Sequence, residues 1–528
     1  MKRKYYMFLI IILFAFFIGC GNKAPNKPQA PEGPATLIPG VPDTFSTMTT
    51  DPEGDKVKYQ FGYKIEGGTE LYTDWSDLIP SGIEYKTAIT LTQPGKYYLR
   101  CQARDQKGKV SKWSDNTEVA CGYGIQKWFF TCYDQQLDDY GEFNATPAID
   151  DEGNIYIGCS MGHIHSLRAN GTERWRYSVD GEITSSIAIA PNGTIYACTR
   201  EGSIYALNSN GTLKWQRNLG NGVEIVATPA IGQNSEIYIC TLDDGLFAFS
   251  ANGNQKWVRN YIFGLSSVAI DREHNLYVGS SEGYLFSLDT FGDMRWDEPF
   301  DAGDEIISSP AITSTGKICF GTQASDSNFI ILNPDGTVFK KVSLQGSISA
   351  SPVIGTDGSI YIATEDGVLY KLNANGDIVW SIITDGSFAS TPAVVRYPQY
   401  SSDVIYFRVS WTTGKQQTLR MKNARPKNVK NTSQKSFQED LDTLYYIKSD
   451  GSRLGTSVIP PAQYSSTELI SSPMVGSDGT IYIGGGYYEP DEPATPYGGV
   501  YAFSGRGIIA NSSWPLFRQN KKNSGRIE

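Results

Sequence analysis

From about Ala145 to Ser504 the chain alternates apolar and polar positions in short runs, broken by turns rich in Gly, Asn and Asp. A period of two marks β-strands rather than helices. The stretch from Thr228 to Trp257, TPAIGQNSEIYICTLDDGLFAFSANGNQKW, shows one unit whole. A short apolar start leads through a polar turn to a strand of the IYIC type. An acidic Gly turn, a second alternating strand, an Asn-Gly turn and a last strand ending in Trp complete it. Four strands in about 40 residues is the spacing of a propeller blade.

The unit recurs. Its first strand places Pro147, Ile187, Pro229, Val268, Pro310, Pro352, Pro392 and Pro473 in one slot, the first seven at steps of 39 to 42 and the last after a step of 81. Trp175, Trp215, Trp257, Trp296 and Trp380 each lie four residues after a turn glycine (Gly171, Gly211, Gly253, Gly292, Gly376). Eight first strands predict eight blades. The eighth unit lacks a fourth strand of its own, whereas IQKWFF (Ile125 to Phe130) stands before the first unit as an orphan strand. The expected ring pairs the two, which protects sheet edges that an open array would expose. In this reading Trp128, Trp175, Trp215, Trp257, Trp296 and Trp380 are structural residues that dock neighbouring repeats.

Ahead of the propeller (125–528), residues 38–122 alternate in runs such as KVKYQFGYKI and GKYYLRCQARD. They predict a separate β-sandwich. The fold class expected for the whole chain is therefore all-β: an eight-bladed β-propeller of four-stranded blades, preceded by an Ig-like, fibronectin-III-like β-sandwich. Residues 21–37 are rich in Pro, Asn, Lys and Ala and are expected to form a flexible tether. Residues 1–20 carry Lys2, Arg3 and Lys4, then an apolar run from Phe8 to Ile18 that is too short to span a bilayer but suits a signal peptide. The ending Phe-Ile-Gly-Cys resembles a bacterial lipobox, with Cys20 as the lipidated residue. The protein is accordingly expected to be extracytoplasmic and lipid-anchored. Gly21 after the cysteine favours the outer membrane or cell surface.

The repeats SPAI, IYIG and LYALN, the Gly-x-x-x-Trp spacing and the terminal WPLFRQNKKNSGR (Trp514 to Arg526) resemble the PQQ-like (quinoprotein-like) β-propeller family over roughly Ile125 to Glu528. The sandwich text resembles the fibronectin type III/PKD class. Some members of the propeller family are quinone-dependent dehydrogenases; others are non-catalytic, including the lipoprotein component of the outer-membrane β-barrel assembly machinery. The catalytic branch implies calcium held by acidic and amide side chains, a catalytic Asp and often a vicinal Cys-Cys pair. This chain has no Cys-Cys dipeptide and no distinct Asp/Glu/Asn constellation outside its turns. The resemblance therefore implies no enzyme and no PQQ cofactor. It implies a scaffold that binds envelope proteins, as in outer-membrane protein assembly, with adhesion or binding of cell-surface glycans as the alternative.

Charge sharpens the picture at one place. The net charge of −10 gives no support to nucleic-acid binding. An insertion at about 408–442 nevertheless carries Lys415, Arg420, Lys422, Arg425, Lys427, Lys430 and Lys435, with no acid between Val404 and Gln438. It falls on the rim formed by the turns after second and fourth strands, as does the loop Tyr487 to Tyr497. Long loops on one rim usually carry function. Arg420, Lys422, Arg425, Lys427, Tyr487, Tyr488 and Asp491 are the candidate partner-binding residues; a solvated loop, paired with the acidic Tyr/Pro loop, is the alternative.

Metal chemistry has few handles. Asp51, Glu53 and Asp55 place oxygens at alternate positions, as in some calcium loops, but no bidentate acid follows and a solvated turn is the alternative. His163 and His165 share a face of one strand, yet His274, the third histidine, lies in a distant blade, so no metal site is expected. Cys159, Cys198, Cys240 and Cys319 are expected to be buried free thiols. A bridge from Cys101 to Cys121, or from Cys121 to Cys132, is open in an oxidising compartment.

Overall fold

The computed structural model describes residues 22–37, 42–93, 95–122, 125–134, 139–262, 264–324, 328–384, 386–388, 390–396, 403–409, 419–423, 442–459, 471–485, 499–504, 508–509 and 520. Cys20 lies outside them. The chain divides into two compact units, Met1–Ile125 and Gln126–Glu528. Among the described residues the one helical turn is Gln233–Ser235, and no helix is long and apolar enough to cross a membrane.

The first unit holds two sheets around one core. Val57–Ile65 pairs with Gly95–Asp105, flanked by Thr117–Cys121 and the short edge strand Leu71–Tyr72; Pro42–Thr47 pairs with Tyr85–Thr90. Alternate residues of both sheets point inward, so Phe45 and Ile89 pack with Tyr59, Phe61, Leu99 and Cys101. One expectation changes here. Residues 22–37 are extended, as their prolines dictate, but they are docked and do not hang free. Asn26 N–H donates to the Thr50 carbonyl, Gln29 N–H to that of Met48, and Glu32 bridges Ser46. Thr36–Leu37 pairs in parallel with Thr117–Cys121, and Leu37 is buried. Proline-rich composition sets the conformation of such a segment; the unpaired edge beside it decides that it binds.

The second unit is built of repeated four-stranded antiparallel sheets. Eight such sheets stand among its described residues, two of them with a fifth strand, besides the two-stranded pair Cys132–Asp134 and Asp139–Gly141. We number them one to eight in chain order from Ala148–Ile149. Sheet eight takes its fourth strand from far upstream: Gln126–Phe130 pairs with Gly499–Phe503, Phe129 facing Tyr501 and Trp128 facing Ala502. The orphan strand thus lies where the sequence pattern predicts it.

Two repeated contacts join the sheets. At the first strands, the residue before the proline slot carries a hydroxyl that accepts the backbone N–H of its counterpart in the preceding sheet. Thr146 N–H donates to Ser186, Ser186 to Thr228, Thr228 to Ser267, Ser267 to Ser309, Ser309 to Ser351, Ser351 to Thr391, Thr391 to Ser472, and Ser472 back to Thr146, all at 2.9–3.3 Å and all buried. Eight hydroxyls satisfy eight buried amides in a cycle with no free end. Losing one acceptor would leave a buried N–H unpaired, at a cost of about 1–3 kcal/mol.

Toward the outside, each repeat tryptophan reaches over the turn of the next sheet. The indole N–H of Trp128, Trp175, Trp215, Trp257, Trp296 and Trp380 donates to the carbonyl of Ala169, Ser209, Ala251, Thr290, Pro334 and Ser449 at 2.8–3.1 Å. The glycine two residues on must be glycine at most of these turns. At Gly171 φ is +85°, and a Cβ would stand 2.6 Å from the Trp128 ring. Each indole also packs on the tyrosine of its own second strand, with ring centroids 5.7–6.1 Å apart. Sheet five has Lys340 in the tryptophan slot; its stem lies over Gly376 and its ammonium pairs with Asp377.

Candidate functional site

The basic insertion does not behave as a plain loop. Leu419–Asn423 forms a strand that adds to the outer edge of sheet six, antiparallel to Ile378–Thr384, with Arg420 opposite Ile383 and Lys422 opposite Ser381. The insertion leaves sheet seven and is anchored by main-chain hydrogen bonds on its neighbour. The alternation in Leu419-Arg420-Met421-Lys422-Asn423 is too short to stand out within a basic insertion; an exposed sheet edge supplies the template. Arg425, Lys427, Tyr487, Tyr488 and Asp491 lie outside the described residues. A second added strand, Ile508–Ile509, pairs with Ala393–Arg396 in sheet seven, on the side away from Asp403–Val409.

Arg408, in the strand Asp403–Val409 of sheet seven, is only 1% exposed. Its guanidinium donates to the Gly484 carbonyl of sheet eight at 2.9 Å. The matching position of the other second strands holds Gly158, Cys198, Cys240, Gly279, Gly321, Ala363 or Gly484. A lone Arg among small residues was a signal available in the repeat alignment. Burying that charge is costly unless it is hydrogen-bonded, so Arg408 ties sheet seven to sheet eight.

In the first unit, Asp51 Oδ1 accepts the N–H of Glu53 and of Asp55, which closes the acidic turn locally. Asp55 pairs with Lys107 at 2.7 Å and accepts from Gln106. Asp51 Oδ1 and the Asp55 carboxylate are engaged in this way, whereas Asp51 Oδ2 is buried without a hydrogen-bond partner.

The cysteines depart from expectation. Cys132 is disulfide-bonded to Cys159, whereas Cys101, Cys121, Cys198, Cys240 and Cys319 are free and buried. Neither Cys101–Cys121 nor Cys121–Cys132 forms, and Cys159 is not a free thiol. The reason is strand parity. Cys198 and Cys240 stand at the fourth position of their second strands, but Cys159 stands at the fifth, where other repeats carry Thr199, Thr241, Ser280, Thr322 or Thr364. A shift of one residue turns the side chain to the opposite face. There it meets Cys132, on the short strand Cys132–Asp134 in the link between the closing strand and sheet one.

His165 completes the cluster. Its Nε2 lies 3.3 Å from Cys132 Sγ and 3.7 Å from Cys159 Sγ. Its Nδ1 stands 2.7 Å from Glu173 Oε1. Burial pulls the imidazole below its usual pKa range, so the neutral ring donates Nδ1–H to the carboxylate, and that hydrogen bond holds Glu173 below its own usual range. Phe130 and Phe143 face the ring edge-on at 5.2 and 5.7 Å. His163 is the neighbour on the same face, as the strand period predicts, and His274 lies apart in a turn of sheet four. Cysteines, rather than the third histidine, surround His165.

Comparison with known proteins agrees with the repeat reading. The family described as outer membrane protein assembly factor BamB matches residues 160–325 and again 325–487. No curated protein matches the chain. Among solved structures, BamB from Moraxella catarrhalis is 12% identical, with a TM-score of 0.48, over 72% of this chain and 99% of that one. The C-terminal WD40 domain of Sif2 is 11% identical, with a TM-score of 0.48, over 73% and 100%. A PKD domain of an M14-like peptidase from a Thermoplasmatales archaeon is 29% identical, with a TM-score of 0.17, over 19% of this chain and 98% of its own. With two family matches that together run from residue 160 to residue 487, across repeated four-stranded sheets, the chain belongs to the PQQ-like β-propeller family described as outer membrane protein assembly factor BamB.

Proposed function

We propose that this chain is a lipid-anchored, non-enzymatic scaffold of the cell envelope. It is tethered through Cys20 and carries a fibronectin-III/PKD-like sandwich and an eight-bladed propeller that binds envelope proteins, in the manner of outer-membrane protein assembly. The observation that carries the reading is the family match across residues 160–487. The cycle of eight first-strand hydrogen bonds supports the blade number. The strand Leu419–Asn423, which seats basic sequence on an outer sheet edge, supports the region around the insertion as the docking surface. A cationic strip on a protein of net charge −10 favours an acidic partner through electrostatic complementarity.

The test is a crosslinking pulldown from intact envelopes with wild type and a variant carrying Arg420, Lys422, Arg425 and Lys427→Ala. A defined set of envelope proteins captured by wild type and lost from the variant is the expected result. Equal capture by both would remove the strip from the account. Retention of cell-surface glycans without proteins would move the function to adhesion.

A further inference from the structure

The Cys132, Cys159 and His165 cluster holds more than a disulfide needs. A disulfide is complete with two sulfurs. Here a buried imidazole aims Nε2 at both of them, and a carboxylate holds its other nitrogen. The three ligand atoms all lie within 4.8 Å of one another and the residues are buried. In the other repeats the slot of His165 holds Tyr205, Phe247, Phe286, Ile330, Tyr370, Tyr445 or Tyr501, and the slot of Cys159 holds no cysteine. Both departures fall in one sheet, on one face, beside the link whose Cys132 supplies the third ligand.

We propose that Cys132, Cys159 and His165 form a Zn²⁺ site when the two sulfurs are reduced. Tetrahedral zinc with Zn–S of about 2.3 Å and Zn–N of about 2.0–2.1 Å sets its ligand atoms roughly 3.5–3.8 Å apart. The imidazole already stands near that separation from both sulfurs, so only the sulfur–sulfur bond must open. Thiolates and imidazole form the donor set that zinc selects over hard cations. Glu173 on Nδ1 is the outer carboxylate that fixes the tautomer and leaves the Nε2 lone pair facing the metal. Phe130, Phe143 and the Met161 side chain, which lies close to Gly141 beside both sulfurs, wall the site with apolar groups. A Cβ at Gly141 would stand 3.1 Å from Cys132 Sγ and 3.3 Å from Cys159 Sγ, so glycine keeps this space open.

The chemistry balances with a thiol reductant. Two thiol molecules form their own disulfide and pass two electrons and two protons to Cys132–Cys159, which becomes two thiols. Zn²⁺ then displaces both thiol protons to solvent, and two Zn–S bonds form together with a bond to Nε2. No fourth protein ligand of this kind joins the group among the described residues, which leaves the remaining position to a solvent molecule. In either redox state the cluster fastens the segment leaving the closing strand to sheet one.

The full chain would be treated with dithiothreitol, freed of it, and given Zn²⁺ or Co²⁺. Bound metal is counted by mass spectrometry after gel filtration, and thiolate ligation is read from the sulfur-to-cobalt charge-transfer band. The expected result is one zinc per reduced chain, none per oxidised chain, and none in Cys132→Ser. Glu173→Gln, a change at a half-exposed position, keeps the stoichiometry and weakens affinity by about 10–100-fold, which separates a metal role from a folding defect. The assignment falls if the pair stays oxidised under dithiothreitol, if the reduced chain takes up no zinc, or if Cys132→Ser and His165→Gln retain it through the other thiols.

Discussion

Deleting Gln126–Phe130 is expected to make the second unit self-associate through sheet eight and melt at markedly lower temperature. The deletion strips sheet eight of its fourth strand and leaves the main chain of Gly499–Phe503 with an unpaired edge. An exposed edge next to buried Val500 and Phe503 is a template for pairing with other chains. It also removes the Trp128 indole from Gly171 and Tyr482, and so a tryptophan contact between sheets eight and one. Trp128→Ala isolates that last part. Trp128 is half-buried, so about 2 kcal/mol is expected, below the roughly 3–5 kcal/mol of a fully buried large aromatic. Light scattering and thermal unfolding of the two variants check the order: wild type, then Trp128→Ala, then the deletion. A deletion variant that melts like wild type would show that the strand is dispensable.

The second large effect is expected at Tyr277. Its ring is wholly buried and packs on Trp296 with centroids 6.0 Å apart. Its hydroxyl donates to Asp271 at 3.0 Å and accepts from Arg295 at 3.1 Å. Sheet one repeats the device, with Tyr156 between Asp150 and Arg174. Tyr277→Ala should cost about 3–5 kcal/mol through the cavity it opens, and Tyr277→Phe about 1–2 kcal/mol through the lost hydrogen bonds. Hydrogen exchange in sheet four and resistance to proteolysis read both without assuming one cooperative transition for a two-unit chain. Equal effects of the two changes would mean that the hydroxyl network, and not the packing of the ring, carries the stability.

The contrast between packing and hydroxyl explains what the sequence could reveal. Strand positions, the repeat length, the closing strand and the tryptophan slots are all periodic, and a period can be counted without knowing the structure. The hydroxyl cycle was present too, as the Ser or Thr before each slot residue, but its meaning needs the first strands side by side. The features missed are single departures from the period. Cys159 differs from Cys198 by one position, and only strand parity turns that into a disulfide with Cys132. Arg408 stands among small residues, and only the closeness of sheet eight gives it the Gly484 carbonyl. Residues 22–37 and Leu419–Asn423 find partners on sheet edges, and composition does not record which edges are vacant.

The measurement that tests the ring most directly is amide hydrogen exchange at Thr146, Ser186, Thr228, Ser267, Ser309, Ser351, Thr391 and Ser472. A closed ring of eight sheets predicts that all eight amides are strongly protected and exchange together, through one opening of the ring. Rapid, independent exchange of the Thr391 and Ser472 amides, with the other six protected, would contradict it: the array would then be open between sheets seven and one.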